Sequence, residues 1–125
     1  MPRANAENIS DFVTSSFRSV WALELLLHLR RNAERSWPQS ELVAVLRASD
    51  AVVSKAAMEL DVAGLVILEP DASSRYMPSS AQLDELTGAV SDLYETSPGA
   101  VRRLIVRSAA GNLQAFADSF RLRKE

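Results

Sequence analysis

His28 is the sole histidine, and Glu24 stands four residues before it, one helical turn away on the same face. A metal pair would need more. One His and one Glu supply two ligands at most, and the zinc-protease helix requires two His with a Glu between them. The Glu24–His28 pair therefore reads as structural. Asp84 and Glu85 are neighbouring carboxylates, but adjacent residues on a helix point to different sides and make a poor acid–base pair. At a helix start they suit the macrodipole instead. The chain has no Cys, which excludes a thiol nucleophile, a Cys-based metal site and a disulfide scaffold. Its four glycines, Gly64, Gly88, Gly99 and Gly111, are too far apart to cradle a phosphate. No Ser–His–Asp arrangement is specified. These residues argue against an enzyme, and they point to no metal and no cofactor. What remains is a set of cations: Lys55 and Arg75 in the middle of the chain, and Arg102, Arg103, Arg107, Arg121, Arg123 and Lys124 toward its end.

The elements that position these groups must fit in 125 residues, enough for one domain spanning 1–125 with a real core. The 47% hydrophobic and 24% charged fractions are those of a globular chain and exclude a disordered or low-complexity one. No apolar stretch follows Arg3, so the start does not read as a secretory signal. The longest apolar stretch, Val20 to Leu29, is half of a membrane span and is interrupted by Glu24 and His28. The expectation is a soluble cytoplasmic protein with no membrane partner.

Residues 1 to about 8 are polar and read as frayed. One helix is expected within Ser10 to Arg31, capped at Ser15 or Ser16, and apolar almost all round, which makes it the central helix. Glu24, His28 and Arg31 form its polar stripe. Trp21 and Trp37 read as core residues, Trp37 alternatively as a member of a short strand. A second helix starts at Pro38, carries Leu42, Val45 and Leu46, and ends near Arg47 or Ala48. Ser49 suits an N-cap for a third helix with Asp50 in its first turn, burying Val53, Ala56, Ala57 and Leu60. Gly64 sits where a left-handed residue ends a helix. Leu65 to Glu69 reads as a strand, Pro70 to Ser74 as a turn, and Arg75 to Met77 as the returning strand. Ser79 or Ser80 caps a fourth helix carrying Leu83, Leu86, Val90, Leu93 and Tyr94. Ser97-Pro98 starts a fifth with Val101, Leu104 and Ile105, ending before Gly111. A last helix from about Asn112 lays Leu113, Phe116, Ala117 and Phe120 on one face, which either caps the core or forms a dimer face. The fold class is mainly α with a small β-hairpin.

The order helix, helix, short turn, helix, Gly, hairpin is that of a helix-turn-helix with a wing. The stretches Ser40-Glu41-Leu42, Ser49-Asp50-Ala51-Val52-Val53-Ser54-Lys55, Leu60 and Ala63-Gly64-Leu65-Val66 carry a resemblance to the winged helix-turn-helix transcription regulators, in particular the multiple-antibiotic-resistance-regulator-like (MarR-like) group. The resemblance covers roughly Ser19 to Pro78. It implies a winged helix-turn-helix over about 15–78 and a C-terminal helical extension over about 79–125. It also implies duplex DNA as partner, read in the major groove by a homodimer. Ser49, Ala51, Val52 and Lys55 would stand at the start of the recognition helix, and Arg75, near the hairpin tip, would enter the adjacent minor groove.

Charge distribution adds a second reading. Residues 1–38 hold five basic and four acidic groups, residues 39–98 three and ten, and residues 99–125 six and two. The segment expected to read DNA is thus net −7, and phosphate affinity comes from cations. Arg102, Arg103, Arg107, Arg121, Arg123 and Lys124, outside the motif, are candidate contacts to phosphate or to an acidic partner. The alternative to a DNA-binding regulator is therefore a winged-helix adaptor that binds protein.

Overall fold

The computed structural model describes residues 6–108. Six helices and one two-stranded antiparallel sheet occur among them: α1 (Ala6–Ser16), α2 (Val20–Arg31), α3 (Gln39–Leu46), α4 (Asp50–Val62), β1 (Val66–Leu68), β2 (Ser74–Tyr76), α5 (Ala81–Thr96) and α6 from residue 98 through 108. The chain is mainly helical with a small hairpin, as expected. The helix expected from Asn112, with Arg121, Arg123 and Lys124 after it, lies outside the described residues.

The single helix expected over Ser10–Arg31 is two helices, and the first begins at Ala6 within the stretch expected to fray. Hydroxyl chemistry weakens the helix just before the break, and the burial of Phe17 completes it. Thr14 Oγ1 donates to the Ser10 carbonyl at 3.0 Å and Ser15 Oγ to that of Phe12 at 3.3 Å, and such back-bonding competes with the helix ladder. Ser19, not Ser15 or Ser16, is the N-cap of α2, accepting from the Ala22 amide at 3.2 Å. Between the helices Phe17 turns inward, fully buried and edge-on to Phe12 at 5.6 Å.

Leu23, Leu25, Leu26, Leu27 and Leu29 are all buried, so α2 is the central helix. Against it pack α3, through Leu42, and α4, through Val53, Ala56, Ala57 and Leu60. Val90, Val101 and Ile105 bring α5 and α6 into the same core. Trp21 departs from expectation: it is 41% exposed and extends the polar stripe of α2. Pro38 precedes α3 with extended backbone (φ −61°, ψ 149°) and occupies the cap position, not the first helical turn.

The hairpin is anchored at both ends. Gly64, at φ +78°, closes α4 with the Gly64 amide on the Asp61 carbonyl and the Leu65 amide on that of Leu60, both at 3.0 Å. A Cβ there would stand 2.7 Å from Ser79 Oγ. The register pairs Val66 with Tyr76, Ile67 with Arg75 and Leu68 with Ser74, so the returning strand runs one residue earlier than expected. Trp37 adds a third rung: it exchanges backbone hydrogen bonds with Ser74 at 2.8 and 2.9 Å. This is the short-strand placement, with the side chain half-buried and packed against the core.

Candidate nucleic-acid interface

Ser49 Oγ accepts the Val52 amide at 3.2 Å and caps α4. Only three residues, Arg47 to Ser49, separate α3 from α4, and Arg47 makes the turn in the left-handed region at φ 56°. Because Val53, Ala56, Ala57 and Leu60 face α2, helical geometry sends Ala51, Lys55, Met58 and Val62 to the opposite side. All four are exposed, Met58 by 56% and Val62 by 88%. Val52 and Glu59 flank this row and are half-buried.

The row lies along a groove of about 830 Å³. From α4 it is lined by Ala51, Ser54, Lys55, Met58 and Val62, and from the α1–α2 junction by Ser15, Ser16 and Arg18. Three charged groups belong to it: Lys55, Arg18 and Glu59. Neither cation is engaged, for the one ion pair among the described residues joins Arg35 and Glu41 at 3.0 Å. One Glu59 oxygen, Oε1, is buried without a hydrogen-bond partner. Ala51 and Lys55 are thus brought together, and Arg18, Met58 and Val62 join them as residues that sequence reasoning missed. The row 51, 55, 58, 62 is available from helical periodicity. Arg18 is hidden by the helix break.

Arg75 stands apart from the groove, on the exposed face of the hairpin beside Ile67. It occupies the middle of β2, and the turn beyond it carries Asp71. Asp71 Oδ1 accepts the Ser73 amide at 3.0 Å, which lowers its carboxyl below the ordinary value.

On the far side of α2, Glu24, Tyr94 and Arg102 are engaged with each other. Glu24 does not pair with His28: its carboxylate accepts the Tyr94 hydroxyl, which in turn accepts from Arg102 Nε at 3.2 Å. Arg102 also lies over the Tyr94 ring at 5.4 Å. Burial first, then the Glu24 hydrogen bond, raises the Tyr94 hydroxyl above its ordinary value. Tyr76 donates to Asp84 and is pushed up to about 12, chiefly by burial. His28 lies edge-on to Trp37 at 4.5 Å, with Arg35 over the same ring at 4.0 Å. Burial, then the charges of Arg31 and Arg35, lower the His28 pKa. Arg103 and Arg107 are exposed on α6.

No cluster of three or more His, Cys, Asp or Glu able to hold a metal occurs among the described residues. No described helix is long and apolar enough to cross a membrane. Comparison with family models, with curated proteins and with solved structures yields no match to the chain.

Proposed function

We propose that the protein is a winged helix-turn-helix regulator that binds duplex DNA as a homodimer, in the manner of the MarR-like group. The observation that carries this reading is the three-residue junction between α3 and the Ser49-capped α4, with α4 docked on α2 by one face and free on the other. In this reading α4 enters the major groove. Val52 touches a thymine methyl, Lys55 reaches a guanine or a phosphate, and Ala51 allows close approach. Arg18, an exposed cation on the groove's other wall, supplies a phosphate contact beyond those the sequence suggested. Arg75 contacts the backbone or minor groove beside the site. A two-fold dimer places its half-sites about 34–36 Å apart.

The test is selection from a genomic DNA pool at low salt, followed by Lys55→Ala and Arg75→Ala. Enrichment of a two-fold symmetric sequence, weakened by both changes, is the expected result. No enrichment, or binding indifferent to both, overturns the reading. A second reading, a protein-binding adaptor, is favoured by Met58 and Val62, whose apolar surface exceeds what DNA contact requires. Recovery of a stable protein partner in place of specific DNA would select it.

A further inference from the structure

We propose that the groove beside α4 is the docking site for this chain's own residues 112–120, with Leu113, Phe116 and Phe120 laid over Met58 and Val62. The proposal does not depend on what α4 reads.

The groove exposes Met58 and Val62 in a row with Ala51, one full side of a 13-residue helix that no described element covers. Met58 and Val62 are neighbouring apolar side chains left uncovered, with Lys55 separating them from Ala51, and such exposed apolar neighbours mark a binding face. The chain arrives at it. Ser108, the last described residue, donates from Oγ to the Thr14 carbonyl at 3.2 Å, and Ser15 and Ser16, the next residues of α1, line the groove. Residue 112 follows four residues later, a reach of at most about 14 Å, so no long tether is required.

The sequence there has the matching pattern. Leu113, Phe116, Ala117 and Phe120 recur at i, i+3, i+4 and i+7, one face of a helix. As a helix this face is about 11 Å long, against about 17 Å from Ala51 to Val62, so it fits along α4. Arg121, Arg123 and Lys124 follow the apolar face; of the groove's own charged groups, Lys55, Arg18 and Glu59, only Glu59 is complementary to them. Glu59 Oε1 is buried without a hydrogen-bond partner, and a donor reaching it would be charge-assisted. Since Ala51 and Lys55 line the same groove, the docked segment would compete with DNA if α4 is a reading helix.

The absence of Cys makes the test clean. In the full chain, Val62→Cys with Ala117→Cys leaves Leu113 and both aromatic anchors in place. Two thiols give one disulfide, their electrons and protons passing to added oxidised glutathione. The expected result is an intrachain disulfide, independent of protein concentration. Its yield should be several-fold above that of a Val45→Cys/Ala117→Cys control, since Val45 is an exposed residue of α3 outside the groove. A yield equal to the control overturns the proposal. A bond formed only between chains, lost on dilution, also overturns it and assigns the groove to a second copy. Hydrogen exchange provides a check without oxidation. Val62→Asp should speed exchange of the amides of residues 113–120, and unchanged exchange counts against docking. DNA is absent from both measurements, so their failure and that of the DNA reading are separable.

Discussion

The two faces of α4 are built from the same thirteen residues and obey different rules. The inner face carries small or branched apolar side chains, Val53, Ala56, Ala57 and Leu60, all within a few per cent of complete burial. The outer face carries Ala51, Lys55, Met58 and Val62, exposed and, for Lys55, without an ion partner. Nothing about helix propensity separates the two sets, since Ala and Val occur on both. What separates them is whether α2 lies opposite. The inner face therefore carries stability and the outer face is free to carry recognition. An outer residue can change without threatening the fold, and an inner one cannot.

Substitutions on the two faces put this contrast to the test. Leu60→Ala should give the largest effect, a loss of about 2–5 kcal/mol in urea unfolding, because it opens a cavity at the α2–α4 contact. A loss under about 1 kcal/mol would mean that this face is not the anchor. Ser49→Ala comes next, about 1 kcal/mol from the lost cap, in stability measured without DNA. Stability unchanged by that substitution, with DNA affinity reduced, would move Ser49 from the structural set to the contact set. Lys55→Ala and Arg75→Ala should leave stability within about 0.5 kcal/mol. If each cation meets a phosphate, each change should flatten the slope of log affinity against log salt by about 0.9 per protomer, about 1.8 for the two-fold dimer. A full slope with weaker binding would instead indicate contact to a base.

The smallest effect is one of pH and belongs to neither face. The lowered His28 pKa means that the folded state disfavours the charged imidazole. Below the ordinary value of 6.5 the unfolded chain binds more protons than the folded one. The contribution of neutral His28 is therefore complete above pH 6.5 and is lost as pH falls toward the folded-state value. Urea midpoints measured on either side of pH 6.5 should differ less in His28→Gln than in the parent chain. An equal difference would remove His28 from the account.

Most of the framework is legible in the sequence because it rests on local rules. Ser49 and Ser80 are caps, Gly64 is left-handed, and the i, i+3, i+4, i+7 face of α4 is buried, all as residue type and spacing require. The features that escape the sequence depend on tertiary partners. The break over residues 17–19 gives up helix continuity to bury Phe17, whose gain lies in the core it enters and not in its sequence neighbours alone. Trp21 and Trp37 look like core by residue type, but the first is 41% exposed beside Val45 and Leu46 of α3 and the second, packed on the core's edge, is held by a backbone bridge to Ser74. Spacing pairs Glu24 with its helical neighbour His28, whereas its actual partner, Tyr94, is seventy residues away. The groove follows the same pattern: its α4 wall is readable from periodicity, and Arg18 on the other wall is not.

Trp37 gives this chain an optical reporter of its own. Its indole is wedged between the His28 imidazole and the Arg35 guanidinium, at the seam where the end of α2 meets the hairpin. The only other indole, Trp21, is 41% exposed beside Val45 and Leu46 of α3. In a Trp21→Phe variant the remaining emission would come from the seam alone. Anything that pulls the hairpin from α2 should be visible as a change of colour in the unlabelled protein.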